Sequence, residues 1–372
     1  MPHPHESALH YPLGDTLPAV GSAIEITPGL RWLRMPLPFA LDHINLWLLR
    51  DRDDQGREGW AIVDCGIDNE ATRAAWEQVF ASALDGLPVL RVIVTHMHPD
   101  HIGLAHWLTE RWSSPGHDCR LWISATDWNA ARHASQSTTG FGGEGAARFF
   151  ARHGLSDPEA LAKVRARSNY YSGMVPQVPQ RFRRLLDGMP LPVGAHEWQC
   201  VAGYGHAPEH IALYGPSLDG VPSLATPKAP SGVLISGDMV LPRISTNVSV
   251  VDSEPEADPL ALFLRSLGRL RALPGRTLVL PSHGKPFFGL HERIDQLVAH
   301  HEARYADVLA ACAKGPQSAA DLLGVLFKRT LDLHQTTFAM GESIAHLHAL
   351  AAAGRLQPVD REDGVRRFGL VG

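Results

Sequence analysis

The sequence predicts an α/β fold, because strand-like apolar runs alternate more than once with helically spaced segments over its first 285 or so residues. Two further observations shape that prediction. The alternation is interrupted from about 126 to 192, and from about 290 the pattern turns helical and closes in a short polar hairpin. The chain therefore divides into an N-terminal arm (1–23), a main domain (24–285) carrying a helical lid insertion (126–192), and a C-terminal domain (286–372).

Taken in order, the Pro-rich and polar first 20 residues suit an extended arm. Leu30–Leu33, Ile44–Leu49 and Ala61–Asp64 read as strands, the last two separated by the Asp-rich turn Asp51–Gly59. Asp68 or Asn69 can cap a helix to about Ala83, with Ala75, Val79, Phe80 and Ala83 at helical spacing. A buried strand, Leu90–Thr95, precedes a helix over Ile102–Trp112, and Leu121–Ser124 is a further strand. The insertion holds helices near Gly145–His153 and Pro158–Arg167, then a Pro-punctuated segment to Pro179. Strands resume at Trp198–Gly203, Ile211–Tyr214 and Val233–Ser236, the last two joined by a solvent loop, Pro216–Pro230. A helix, Pro259–Leu273, and a strand, Thr277–Leu280, end the main domain. Helices at His291–Cys312, Ser318–Phe327 and Met340–Ala353 precede a hairpin, Gln357–Leu370, turning at Asp363-Gly364.

Composition excludes several classes. At 372 residues, 44% hydrophobic and 20% charged, the chain can bury a sizeable core in two or three domains. A net charge of −5 argues against a dedicated nucleic-acid binder. Four cysteines without a CxxC pair read as reduced thiols, and no signal peptide or apolar run of roughly 18 residues is visible, so the expected location is the cytoplasm, with no membrane partner. Twenty-one histidines are unusual, but only position can give them meaning.

Four motifs do so, each at the end of a predicted strand. Thr95-His-Met-His-Pro-Asp-His-Ile-Gly103 follows an apolar strand, so His96 and His98 can share one metal while Asp100 and His101 face a second. Gly205-His-Ala-Pro-Glu-His210 offers His206 as a third imidazole for the first metal. In Ser236-Gly-Asp238 the carboxylate can bridge two cations, and Ser282-His-Gly284 supplies His283 to the second. A lone strand-end Asp or His usually caps a turn; all four motifs in this order point to catalysis by two divalent ions, zinc first, with manganese or iron as alternatives.

On these residues the chain resembles the metallo-β-lactamase superfamily over about 24–285, which implies an αββα sandwich with metals at one edge. The resemblance places His96, His98 and His206 on one ion, Asp100, His101 and His283 on the other, and Asp238 between them. Asp64, in Val-Asp-Cys-Gly66, matches an aspartate that buttresses the metal loop, and Cys65, where Thr or His is commoner, is expected to be a buried thiol. Glu209 stands where Gly is usual; it is either an exposed turn residue or an acceptor orienting an imidazole N–H. His210 is expected to be a buried, hydrogen-bonded histidine behind the ligands. Oxygen-reducing diiron members carry Glu at the position of His98, which disfavours that activity, while a persulfide dioxygenase-like iron enzyme stays open. The tail resembles a winged helix found in a subgroup that includes a single-strand endoribonuclease.

The pattern therefore implies hydrolysis by a hydroxide held between two metals, with Asp100 and Asp238 as catalytic carboxylates. From Arg148 to Arg184 eight basic residues face two acidic ones, which suits either a lid for an anionic substrate or a solvated helix face. Arg181, Arg183, Arg184, Arg243, Asn247, Tyr170 and Tyr171 are the candidate substrate contacts. The tail from Lys285 has ten basic and ten acidic residues, poor footing for phosphate backbones. The expected substrate is a small anionic ester or thioester. A single-strand nuclease is the alternative, and the tail either packs beside the site or makes a homodimer contact.

Overall fold

The computed structural model describes residues 8–138, 140–215 and 231–372. The first seven residues of the predicted arm and the predicted loop 216–230 lie outside the described residues. Among the described residues no helix is long and apolar enough to cross a membrane.

Strands β1 (Ala23–Thr27), β2 (Leu30–Pro36), β3 (His43–Arg52) and β4 (Glu58–Val63) form an antiparallel meander. Helix α1 (Glu70–Ser82) leads to β5 (Val89–Ile93), then α2 (Pro99–Ile102), α3 (Ala105–Trp112) and β6 (Arg120–Ser124). Next come α4 (Ala125–Gln136), α5 (Gly143–Arg152), α6 (Pro158–Ala166) and β7 (Phe182–Leu185). The first sheet runs β1 to β7 in chain order, and β4 to β7 are parallel. The second half contains β8 (Pro190–Val193), β9 (His196–Gly203), β10 (His210–Gly215), β11 (Val233–Gly237), α7 (Pro259–Leu270) and β12 (Leu278–Pro281), in sheet order β12-β11-β10-β9-β8. Then follow α8 (Leu290–Cys312), α9 (Ala319–Leu326), α10 (Leu333–Ala352) and a hairpin of β13 (Leu356–Asp360) and β14 (Arg366–Leu370).

The period-two alternation of the strands makes the layers. In β3, Trp47 and Leu49 face the second sheet, while Leu46 and Leu48 face the first sheet's own helices. In β10, Ile211 and Leu213 face the first sheet, and Ala212 and Tyr214 face the opposite way. With both faces of both sheets covered, the result is an αββα sandwich. The fully buried Trp32, Trp47 and Trp198 help fill its middle, each an indole of the size that dominates core energetics.

Helix α1 starts where its cap was expected: Asn69 accepts the N–H of Thr72 at 2.8 Å. Elsewhere the structure corrects the sequence reading. The helix expected over 102–112 is two, parted at Gly103-Leu104, where the Leu104 N–H donates to the Gly66 carbonyl at 3.1 Å; a Cβ at Gly103 would come within 2.6 Å of that oxygen. The insertion is much shorter than 126–192. Helix α4 packs on β6, β7 extends the first sheet, and β8 edges the second. Only α5 and α6 lie outside the sandwich, sharing a core with α7 to α10, while Tyr171, Val175 and Val178 of the loop after them pack into the first sheet's core. Helix α10 begins seven residues earlier than expected, at an Asp332–Gln335 capping box.

Candidate metal centre

Strands from both sheets end at one rim, where the four motifs meet. After β4 the backbone enters the left-handed region at Asp64 (φ 62°), which costs a non-glycine residue energy. The bonds its carboxylate accepts there offset that cost: Thr95 N–H at 2.8 Å, Thr95 Oγ1 at 2.9 Å and His101 Nδ1 at 2.8 Å. Asp64 thus stands directly behind one imidazole and shapes the loop that follows β5. Pro99, at the first position of α2, suits a helix start whose N–H would be unpaired anyway.

His96, His98 and His206 converge. Nε2 of His96 is 3.0 Å from Nδ1 of His98, which is 3.1 Å from Nε2 of His206, and the third side of the triangle is 3.2 Å. Burial and the neighbouring imidazoles push His96 well below the ordinary histidine value and His98 to about 3. His206 donates its Nδ1 proton to the Asn247 carbonyl at 2.8 Å, which leaves Nε2 as a lone pair aimed inward. Three lone pairs cannot satisfy one another. Nitrogens about 2.0–2.1 Å from a tetrahedral ion would lie roughly 3.3 Å apart, close to this triangle.

The second set is Asp100, His101, Asp238 and His283. Asp100 Oδ2 lies 3.5 Å from His101 Nε2 and 3.3 Å from His283 Nε2, and Asp238 Oδ1 lies 3.6 and 3.5 Å from the same two nitrogens. The other Asp238 oxygen is 3.3 Å from His206 Nε2, so one carboxylate faces both sets. His101 Nε2 and Asp238 Oδ1 are fully buried without a hydrogen-bond partner, a costly arrangement that a cation would resolve. Burial opposes charge on all four side chains. Asp100, Asp64 and Asp238 nonetheless hold His101 well above the usual range, and chiefly Asp238 and Asp100 raise His283 to about 10. Against the same penalty, the facing imidazoles hold Asp100 down at about 2 and Asp238 well below its ordinary value. His283 is aimed by its Nδ1–H bond to the His43 carbonyl at 2.8 Å.

The residues expected behind the ligands divide. His210 is buried, and its Nε2 accepts the Asp238 N–H at 3.3 Å, so it orients the residue whose carboxylate faces both sets. That contact explains Gly237: at φ 51° a Cβ would sit 2.0 Å from His210 Nε2. Glu209 does not orient an imidazole. Its carboxylate accepts from Thr126 Oγ1 at 2.8 Å, and only its backbone N–H enters the network, donating to Asp127 at 2.6 Å. Cys65 is fully buried, and burial drives its thiol well above the usual value.

Sequence reasoning missed Asp127. Its buried carboxylate accepts the N–H of Met97 at 2.7 Å and that of Glu209, tying the loop of His96 and His98 to the loop of His206. Burial raises this carboxyl to about 6. Ser124-Ala-Thr-Asp127 is a helix-cap pattern and was the available signal.

A cleft of about 1800 Å3 opens over both sets, lined largely by apolar side chains, with α10 along one wall. Tyr170, Tyr171 and Asn247 line it. Tyr171 hydrogen-bonds the Met97 carbonyl, and the Asn247 amide reaches Glu342 of α10 at 3.4 Å. Arg181, Arg183, Arg184 and Arg243 do not line it. The first three are exposed on or beside the outer strand β7, where Arg181 faces Asp118 at 3.7 Å and Arg183 lies over Trp122. Arg243 is exposed as well. Within the insertion, Lys163 pairs with Glu159 and Arg165 with Glu144.

Comparison with known proteins agrees with this architecture. Residues 40–283 match the metallo-β-lactamase superfamily, and residues 305–371 match a metallo-β-lactamase-like C-terminal domain. A crystal structure of a β-lactamase domain protein from Burkholderia ambifaria is 54% identical, covering 99% of this chain and all of that one, with a TM-score of 0.90. A metallo-β-lactamase family protein from Thermus thermophilus is 29% identical over 93% of this chain and all of its own, with a TM-score of 0.69. The probable metallo-hydrolase YqjP of Bacillus subtilis (strain 168) is 25% identical over 334 residues, 86% of this chain and 91% of its own.

Proposed function

Since the chain belongs to the metallo-β-lactamase superfamily, we propose that it is a metal-dependent hydrolase using two divalent ions, zinc first, to cleave an ester or thioester that carries an anionic group. The observation that carries the reading is Asp238, whose two oxygens face the three-imidazole set and the Asp100–His101–His283 set respectively. Divalent ions in those sets would supply Lewis acidity, acidifying a water and polarising the scissile group.

The chain's own residues do the rest. Asp100, ionised and at the cleft wall, takes the proton that the attacking water gives up. Tyr170, whose hydroxyl burial pushes up to about 12, stays protonated on the cleft wall, 3.4 Å from His334 Nδ1. Apolar walls exclude water, and a cleft of about 1800 Å3 accommodates an extended acyl group. A nuclease would need a basic track for several phosphates, and of the insertion's eight basic residues only Arg167 lines the cleft, which weighs against one.

The test is a panel of thioesters, esters, lactones, phosphodiesters and single-stranded RNA on metal-quantified protein. Ester or thioester turnover that vanishes in His98→Ala supports the reading. RNA cleavage that vanishes in the same variant, without ester turnover, overturns it.

A further inference from the structure

Among the cations of the insertion, Arg167 stands apart. It caps the C-terminus of α6, is only partly exposed, and lines the same cleft as His98, Asp100 and Asp238. Lys163 and Arg165 on that helix pair with carboxylates, whereas Arg167 has no salt-bridge partner among the described residues. Its guanidinium touches neutral groups: Thr337 Oγ1 at 3.3 Å, His334 Nδ1 at 3.3 Å, and the Tyr170 ring, whose centroid is 4.2 Å from Cζ. A guanidinium is always charged, and partial burial without a paired counter-charge is costly unless an anion arrives to complete it. Burial lowers the Arg167 value and outweighs the opposing pull of Tyr170 and of Asp332, which acts through space without forming an ion pair. Burial together with Arg167 lowers His334 as well, so that ring stays neutral beside the cation.

The surroundings are built for this role. His334 is stacked on Phe39 at 5.6 Å and packs edge-on against Phe338, which is stacked on Phe141 at 4.8 Å. These rings come from three separate segments: the turn before β3, the entry to α5, and α10. They fix the His334 ring, whose Nδ1 the guanidinium touches.

We propose that Arg167, held by Tyr170, His334 and Thr337, is the anion anchor of the cleft, binding a carboxylate or phosphate on the substrate's distal end while the scissile bond lies over the ligand sets. The inference deepens the ester and thioester reading and rests on it. It also replaces Arg181, Arg183, Arg184 and Arg243 as the source of selectivity for anions. A planar fork of donors suits both oxyanions, so the two are separated by experiment.

The kinetic test compares two esters of nearly equal shape on the metal-loaded protein: mono-4-nitrophenyl glutarate, which is anionic, and 4-nitrophenyl 5-methylhexanoate, which is neutral. Arg167→Gln should raise KM for the anionic ester about tenfold to a hundredfold, as expected for loss of a charge-assisted bond. The kcat should stay within about twofold and the neutral ester should be unaffected, as for an interaction that binds ground and transition states alike. Arg167→Lys should recover part of the loss, with metal content and melting temperature near wild type. Equal losses on both esters would mean a structural role and overturn the proposal, as would no loss on the anionic one.

Calorimetry supplies the arm that does not need turnover. Adipate and 6-(phosphonooxy)hexanoate should each bind the wild type more tightly than hexanoate, and Arg167→Gln should erase that advantage. The tighter of the two identifies the preferred oxyanion. If neither ester is hydrolysed, the ester reading fails, while calorimetry still decides the anchor. An unchanged advantage in Arg167→Gln refutes it.

Discussion

Replacing Asp127 with Ala tests whether the two ligand loops are stapled by one buried carboxylate. The change orphans the N–H groups of Met97 and Glu209, which now donate at 2.7 and 2.6 Å. Each unsatisfied buried donor costs about 1–3 kcal/mol, so the pair costs about 2–6 kcal/mol. Against this stands the penalty the carboxylate itself carries, since burial moves it from 3.8 to about 6. The sign is that of a raised folded pKa: its contribution is full below the unfolded value of 3.8 and is lost as pH rises through about 6. The whole loss is about 3 kcal/mol, of which about 1.4 kcal/mol falls between pH 5 and 7.5. Asp127→Ala should therefore destabilise the protein more at pH 5 than at pH 7.5. Urea unfolding of both proteins, followed by tryptophan fluorescence with chelator present, reads the difference directly. A cost that is absent at both pH values, or that grows with pH, refutes the reasoning.

Three further outcomes are expected. Asp238→Ala should lose most activity and, in elemental analysis after loading with excess zinc, hold about one ion where the wild type holds two; two ions in the variant would remove Asp238 from the bridge. Stripping metal should lower the melting temperature by several degrees and reloading should release protons, because His101 and His283 are held charged by Asp100 and Asp238 until cations displace those protons; proton-neutral binding at pH 7, measured by calorimetry in two buffers, would contradict it. Gly237→Ala should fail to fold or lose metal, since the added methyl falls 2.0 Å from His210 Nε2; a variant with wild-type melting temperature and metal content would show that the turn has slack.

Much of the fold and the convergence of the four motifs can be read from residues alone because the relevant signals are local. Each ligand follows an apolar run, as His96 follows Val92–Val94 and Asp238 follows Val233–Ser236, so strand end and chemistry coincide in the chain. What escapes are features created by return contacts. Asp127 sits in a helix whose pattern shows only a cap, and its partners are 30 and 82 residues away. The Arg cluster misleads because a count of charges does not show that Arg165 faces Glu144 or that Arg181 faces Asp118. The insertion reads too wide because Phe182–Leu185 and Pro190–Val193 are four-residue edge strands, too short for alternation to stand out.

The His43 carbonyl that aims His283 ties the end of the main domain to its beginning. The three-imidazole set draws no ligand from beyond residue 206, but the second set waits for residue 283 to return to the hairpin of β2 and β3, where Arg34 and Asn45 also grip the Gly284 carbonyl. The cleft wall bearing His334 and Glu342 comes later still. The first set leans on later chain as well, since the Asn247 carbonyl aims His206. Both clusters are thus closed by backbone carbonyls from distant segments, so neither is a property of one stretch of sequence.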